Sequence, residues 1–113
     1  MATETFTAAN GTSLASLSGW TVNNGAFDIQ SNALATNSAG NESGARYTGT
    51  FNNDQYAQAA LVTVSGAGGE NVGVAVRVST SGAATYYGAY LGNASVDFFK
   101  MVAGTWTQFG SGD

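Results

Sequence analysis

The chain has no cysteine, no histidine and no proline, and only 9% of its 113 residues are charged. Each absence removes a class of function. Without cysteine there is no disulfide framework to report an oxidising compartment. Without histidine or cysteine, Ser–His and Cys–His nucleophile systems are excluded, and the commonest metal ligand is missing. Three basic residues, Arg46, Arg77 and Lys100, stand against seven acids. That number is too few for the clustered phosphate contacts of a nucleic-acid binder or for docking on an anionic membrane. No apolar run approaches spanning length, and residues 1–7 are neither basic nor apolar enough for a signal peptide. The expectation is a soluble protein made without Sec export, or one whose leader has been removed.

What remains for catalysis is carboxylate chemistry. Glu4, Asp28, Glu42, Asp54, Glu70, Asp97 and Asp113 are the acids, and no two stand closer than twelve residues apart. A glycosidase needs two carboxylates flanking one bond, so any pair here would have to meet through the fold. The expectation is no enzyme and no cofactor. Calcium wants several oxygens on one loop, and no EF-hand spacing occurs. Asn52-Asn53-Asp54 and Asn23-Asn24 are partial sets that turn chemistry explains as well. No metal site is expected. Gly66 to Gly69 is a hairpin loop with no helix behind it, and so no phosphate cradle.

The hydrophobic fraction, 43%, is that of a globular protein, and the length allows one domain over 1–113 with one core. No window keeps an apolar period of 3.6 residues. Short alternating runs broken by Gly, Asn and Ser recur instead. They predict an all-β fold, a jelly roll or β-sandwich of roughly ten short antiparallel strands. The runs are 3–7, 19–22, 25–30, 32–36, 44–50, 55–64, 72–79, 84–91, 94–102 and 105–109. The last four form a meander whose register can be proposed. A loop over 80–83 pairs Arg77 with Tyr86, Ala75 with Gly88 and Gly73 with Tyr90. A two-residue turn at Gly92-Asn93 sets Tyr86 opposite Phe99, Tyr87 opposite Phe98, Gly88 opposite Asp97 and Tyr90 opposite Ser95. A turn at Ala103-Gly104 sets Met101 opposite Trp106 and Phe99 opposite Gln108.

Alternation sorts this sheet into two faces. One carries Val72, Val74, Val76 and Val78 with Tyr87, Ala89, Leu91, Val96, Phe98, Val102 and Phe109, and is the expected core. The other carries Arg77, Tyr86, Tyr90, Asp97, Phe99, Met101, Trp106 and Gln108, the candidate binding or interface residues. Aromatic rings with Arg and an amide suit a protein interface or a sugar platform. They also suit plain aromatic cover of the gaps at Gly73 and Gly88, with Arg77 over Tyr86 as a cation–π pair.

The runs Asn10-Gly11-Thr12-Ser13-Leu14, Gly19-Trp20-Thr21-Val22, Ala26-Phe27-Asp28-Ile29 and Asn32-Ala33-Leu34 resemble the opening of a LamG-like domain. This is a concanavalin-like jelly roll found in bacteriophage virion proteins and bacterial surface proteins. Val74-Ala75-Val76-Arg77-Val78-Ser79 with Tyr86-Tyr87-Gly88-Ala89-Tyr90-Leu91 resembles the central hairpin of that family. The resemblance implies glycan or protein binding without catalysis. The Glu-x-Asp-x-x-Glu run of its glycosidase relatives does not occur here. The family pattern continues beyond the Trp106 strand, whereas this chain stops at Asp113, so the expectation is that a second copy, a neighbouring protein or a shorter self-contained rearrangement supplies the missing pairing. The charge-poor surface and the resemblance together point to a virion structural protein. It would be a capsid decoration or fibre subunit, in contact with copies of itself or with a capsid or fibre protein. The alternatives are a carbohydrate-binding module that takes a glycan on its aromatic face, and a self-assembling bacterial surface protein at the cell surface.

Overall fold

A computed structural model describes residues 2–37, 43–62, 71–92 and 95–112. The structure is all-β, with antiparallel pairing throughout and no α-helix among the described residues. Eight strands are present among them, not ten. The chain divides into two compact units, Met1–Thr50 and Phe51–Asp113.

In the first unit, a single 3-10 turn at Leu14–Ser16 precedes β1 (Trp20–Asn24), β2 (Phe27–Gln30), β3 (Ala33–Thr36) and β4 (Gly44–Tyr47). Strands β2 and β3 form a hairpin in which Ile29 faces Leu34. Its two turn residues, Ser31 and Asn32, both take positive φ, which matches the right-handed twist of the strands they join. Strand β1 pairs with β4, Trp20 opposite Tyr47, so this pair encloses the β2–β3 hairpin in sequence. Leu14 and Ile29 are fully buried. Backbone bonds from Gly11 to Ile29 (2.8 Å) and from Ile29 to Thr12 (2.9 Å) fix the preceding segment to β2.

The expected strand at 3–7 does not form. The Glu4 carboxylate accepts the backbone N–H of both Thr5 and Phe6 at 3.0 Å, and Phe6 takes a positive φ. A side chain that captures neighbouring amides in this way competes directly with a strand ladder. The Phe6 amide does most to hold the Glu4 carboxyl below its ordinary value, with smaller contributions from the Trp20 indole and then the Thr5 amide.

The second unit is one meander sheet, in the order β5 (Val72–Val76), β6 (Tyr86–Leu91), β7 (Val96–Val102), β8 (Thr105–Gly112). The expected strand at 55–64 is irregular over 55–62, and 63–64 lie outside the described residues. Three alanines in that stretch give little side chain to pack on a pleated surface. The loop over Gly66–Gly69 also lies outside the described residues.

The β5–β6 register is the expected one, with Gly73 opposite Tyr90 and Ala75 opposite Gly88. So is that of β7–β8, with Met101 opposite Trp106 and Phe99 opposite Gln108 around Ala103-Gly104. The β6–β7 register is not. Tyr86 faces Met101, Gly88 faces Phe99 and Tyr90 faces Asp97, two residues away from the expected alignment. The connection spans 92–95, closed by the Gly92 N–H on the Ser95 carbonyl at 2.9 Å; Asn93 itself lies outside the described residues. The longer loop has a packing reason. It brings Phe99 over Gly88, where a Cβ would collide with the ring. An aromatic ring thus fills the gap a strand glycine leaves. A slip of two residues preserves alternation, so the sorting of residues into faces survives it.

Which face is buried is reversed. Among the described residues of this unit Phe99 is the one fully buried side chain, whereas Phe98 is 44% exposed. The face expected to be core also leaves Tyr87, Leu91, Val102 and Phe109 exposed. The aromatic residues of the opposite face pack on one another over Gly73 and Gly88, and this is where the unit's tightest burial lies.

Candidate interaction surfaces

Seven of the eight residues singled out on the aromatic face share that face of β6, β7 and β8. The Phe99 ring is central. Tyr90 stacks on it with centroids 4.0 Å apart, Tyr86 meets it edge-on at 5.7 Å, and Trp106 lies near-parallel at 6.3 Å. Met101 sits opposite both Tyr86 and Trp106. Asp97 accepts from the Gln108 amide at 3.0 Å and from the Ser95 hydroxyl at 3.5 Å. Interlocked rings at these spacings behave as packing. Of the group's aromatic rings, Trp106 is the exposed one, at 51%.

Arg77 does not join them. Strand β5 ends at Val76, and pairing resumes where the Ser79 N–H donates to the Thr85 carbonyl at 2.8 Å. Arg77 and Val78 together therefore oppose Tyr86, the two-against-one count of a β-bulge. Arg77 takes φ 54°, a left-handed conformation that such bulges usually give to glycine. At the bulge the arginine is tied to the segment 52–55. Its backbone N–H donates to Gln55 Oε1 at 2.8 Å and its Nη2 to the Asn53 carbonyl at 2.9 Å. Gln55 in turn donates to the Asn52 carbonyl. Asn53, Asp54, Gln55, Tyr56 and Arg77 line an open notch of about 350 Å³. Alternation alone cannot reveal this notch, because the bulge interrupts the alternation.

The valine face presents a surface that the sequence reading missed. Phe98 and Phe109 pair at 6.5 Å with both rings exposed, the second at 61%. Tyr87, Leu91 and Val102 continue the strip along β6 and β7. The one sequence signal for it is Phe109 itself, which lies in a second bulge: Phe98 faces Gly110 while Phe99 faces Gln108. In the first unit, Phe6, Trp20 and Tyr47 form a further cluster, with centroids 5.7 Å apart and the Trp20 Nε1 directed at Glu4 Oε2.

No group of three or more potential metal-ligating side chains occurs among the described residues, and none of their helices is long and apolar enough to cross a membrane. No family model, curated protein or solved structure matches the chain.

Proposed function

We propose that this protein is a non-enzymatic structural subunit, a LamG-like jelly-roll sandwich of the kind carried by phage virions. It works by packing its exposed sheet face against other subunits, as a decoration or fibre component would. The observation that supports this reading is the strip of Tyr87, Leu91, Phe98, Val102 and Phe109, exposed together on one side of a four-stranded sheet. Exposed apolar side chains gathered on one face, here around Lys100, mark interaction sites on folded proteins. The sparse charge of the chain offers little repulsion to a neighbouring copy. Native mass measured across a concentration series tests the proposal. Wild type should assemble, and Phe98→Ser with Phe109→Ser should weaken assembly by more than about 2 kcal/mol, the scale of an interface hot spot. A wild-type chain that stays monomeric at every concentration would refute it.

A carbohydrate-binding module is the second reading, and the notch supports it. Tyr56 is 71% exposed beside Asp54 and an arginine already pinned at backbone and side chain. A ring face with fixed donors and acceptors suits a sugar. Glycan binding that is lost in Tyr56→Ala and Arg77→Gly, while assembly is untouched, would favour this reading over the first.

A further inference from the structure

The four-stranded sheet has two edges of different character. Beside β5 lies the segment 57–61, which with Val72, Val74 and Leu91 among others lines an open groove of about 280 Å³. Strand β8 has β7 on one side and no strand on the other among the described residues. It runs for eight residues, Thr105–Gly112, and all but Gly110 are exposed. Natural edge strands are usually blunted by lysine, proline, shortness or an early bulge. Strand β8 contains no charged residue and no proline, and its bulge falls after Gln108, leaving 105–108 regular.

We propose that β8 is a self-pairing edge. Two copies of this chain join antiparallel through it and make one continuous eight-stranded sheet. This deepens the assembly reading above and rests on it, naming the partner and the register. The two-residue turn at Ala103-Gly104 is closed by Val102 and Thr105, the pair that exchanges both backbone bonds. Alternation then directs the N–H and C=O groups of Trp106 and Gln108 out of the sheet. A two-fold axis at Thr107 sets Trp106 opposite Gln108 of the partner subunit, and the reverse, so both outward residues of each chain bond at once. An axis moved to Trp106 or to Gln108 leaves one such residue against the turn or the bulge. The neutral strand meets no like charge in its own copy, which a foreign partner would not require. The exposed Phe98–Phe109 pair borders the same edge, so the joined sheets also bring together the apolar strips.

The chain lacks cysteine, so Thr107→Cys supplies a single thiol. At the two-fold, in a non-hydrogen-bonded pair, the two Cα atoms stand about 4.5 Å apart, which a disulfide spans. Mild oxidation should convert Thr107→Cys to a covalent dimer at least about tenfold faster than Ser81→Cys, a control in an exposed loop. Independently, Thr107→Lys should raise the dimer dissociation constant by at least about tenfold, and mixing it with Thr107→Glu should restore the dimer. If wild type assembles but Thr107→Cys cross-links no faster than the control, and Thr107→Lys leaves the mass unchanged, edge pairing is overturned and association runs through another surface. A wild type that is monomeric throughout overturns both the edge and the assembly reading.

Discussion

Phe98 and Phe99 are the same side chain one residue apart, and the sheet gives them opposite fates. Phe99 is fully buried among Tyr86, Tyr90 and Trp106, whereas Phe98 is 44% exposed beside Phe109. Hydrophobicity does not choose between them, because it is identical. Glycine does. On the Phe99 side, Gly73 and Gly88 leave hollows into which large rings settle and touch the backbone. On the Phe98 side, Ala89 and Gly110 stand opposite the ring, and a Cβ at Gly110 would meet it only at 3.6 Å, so the ring does not settle onto the backbone there. Burial on a small sheet thus follows where the surface is recessed, not where the valines are densest.

Truncating each ring in turn should produce the largest difference between the two positions. Phe99→Ala should cost about 3–5 kcal/mol, as for a buried phenylalanine left as a cavity, and Phe98→Ala under about 1.5 kcal/mol, measured by denaturant unfolding of dilute protein. Equal losses, or a reversed order, would return the core to the valine face. Filling the hollow is the next test. Gly88→Ala drives a Cβ into the Phe99 ring and should cost about 1–3 kcal/mol, whereas Gly110→Ala meets Phe98 only at 3.6 Å and should be tolerated. Similar costs at both glycines would show that the recess does not hold Phe99.

A smaller effect is expected where the sheet corner bends. Arg77→Gly and Arg77→Ala both remove the tie to Asn53, but only glycine relieves the left-handed backbone. The glycine variant should be more stable than the alanine variant by about 1–2 kcal/mol; an inverted order would mean that the bulge is not held at Arg77. The least effect comes from Glu4, which lies outside the sheet and serves as a control. Its carboxyl is lowered by the Phe6 amide first, so its stabilising contribution is complete above the ordinary 4.5 and fades as pH falls through the lowered value. Wild type should lose slightly more stability than Glu4→Gln across that acid range, with the Phe98–Phe99 difference unchanged. An acid loss of equal size in both proteins would place the titration elsewhere.

Much of this was legible in the residues. Alternation along 72–76, 86–91, 96–102 and 105–108 separates the two faces correctly, and the turn at Ala103-Gly104 fixes one hairpin without ambiguity. Alternation says nothing about which face is inside, because both carry rings; that depends on the glycine hollows, which appear only once strands are in register. The β6–β7 alignment was hidden for a related reason. A two-residue and a four-residue loop conserve parity, and only the fit of Phe99 onto Gly88 distinguishes them. The departure of Arg77 from its expected neighbours follows from a bulge at a residue that is not glycine, which no pattern of apolar residues announces. The missing strand at 3–7 turned on one carboxylate's reach to two amides.

The tight turn at Ala103-Gly104 also has a consequence in time. It joins partners adjacent in sequence, so the β7–β8 hairpin needs almost no loop closure and forms on the microsecond scale typical of hairpins, about 1–10 μs. The β1–β4 pair must instead wait for the hairpin nested inside it. During refolding, the uncharged outer edge of β8 is therefore presented to solvent before the slower pairings are complete. Folding and association then compete for the same strand, and the yield of native protein should fall as chain concentration rises during refolding.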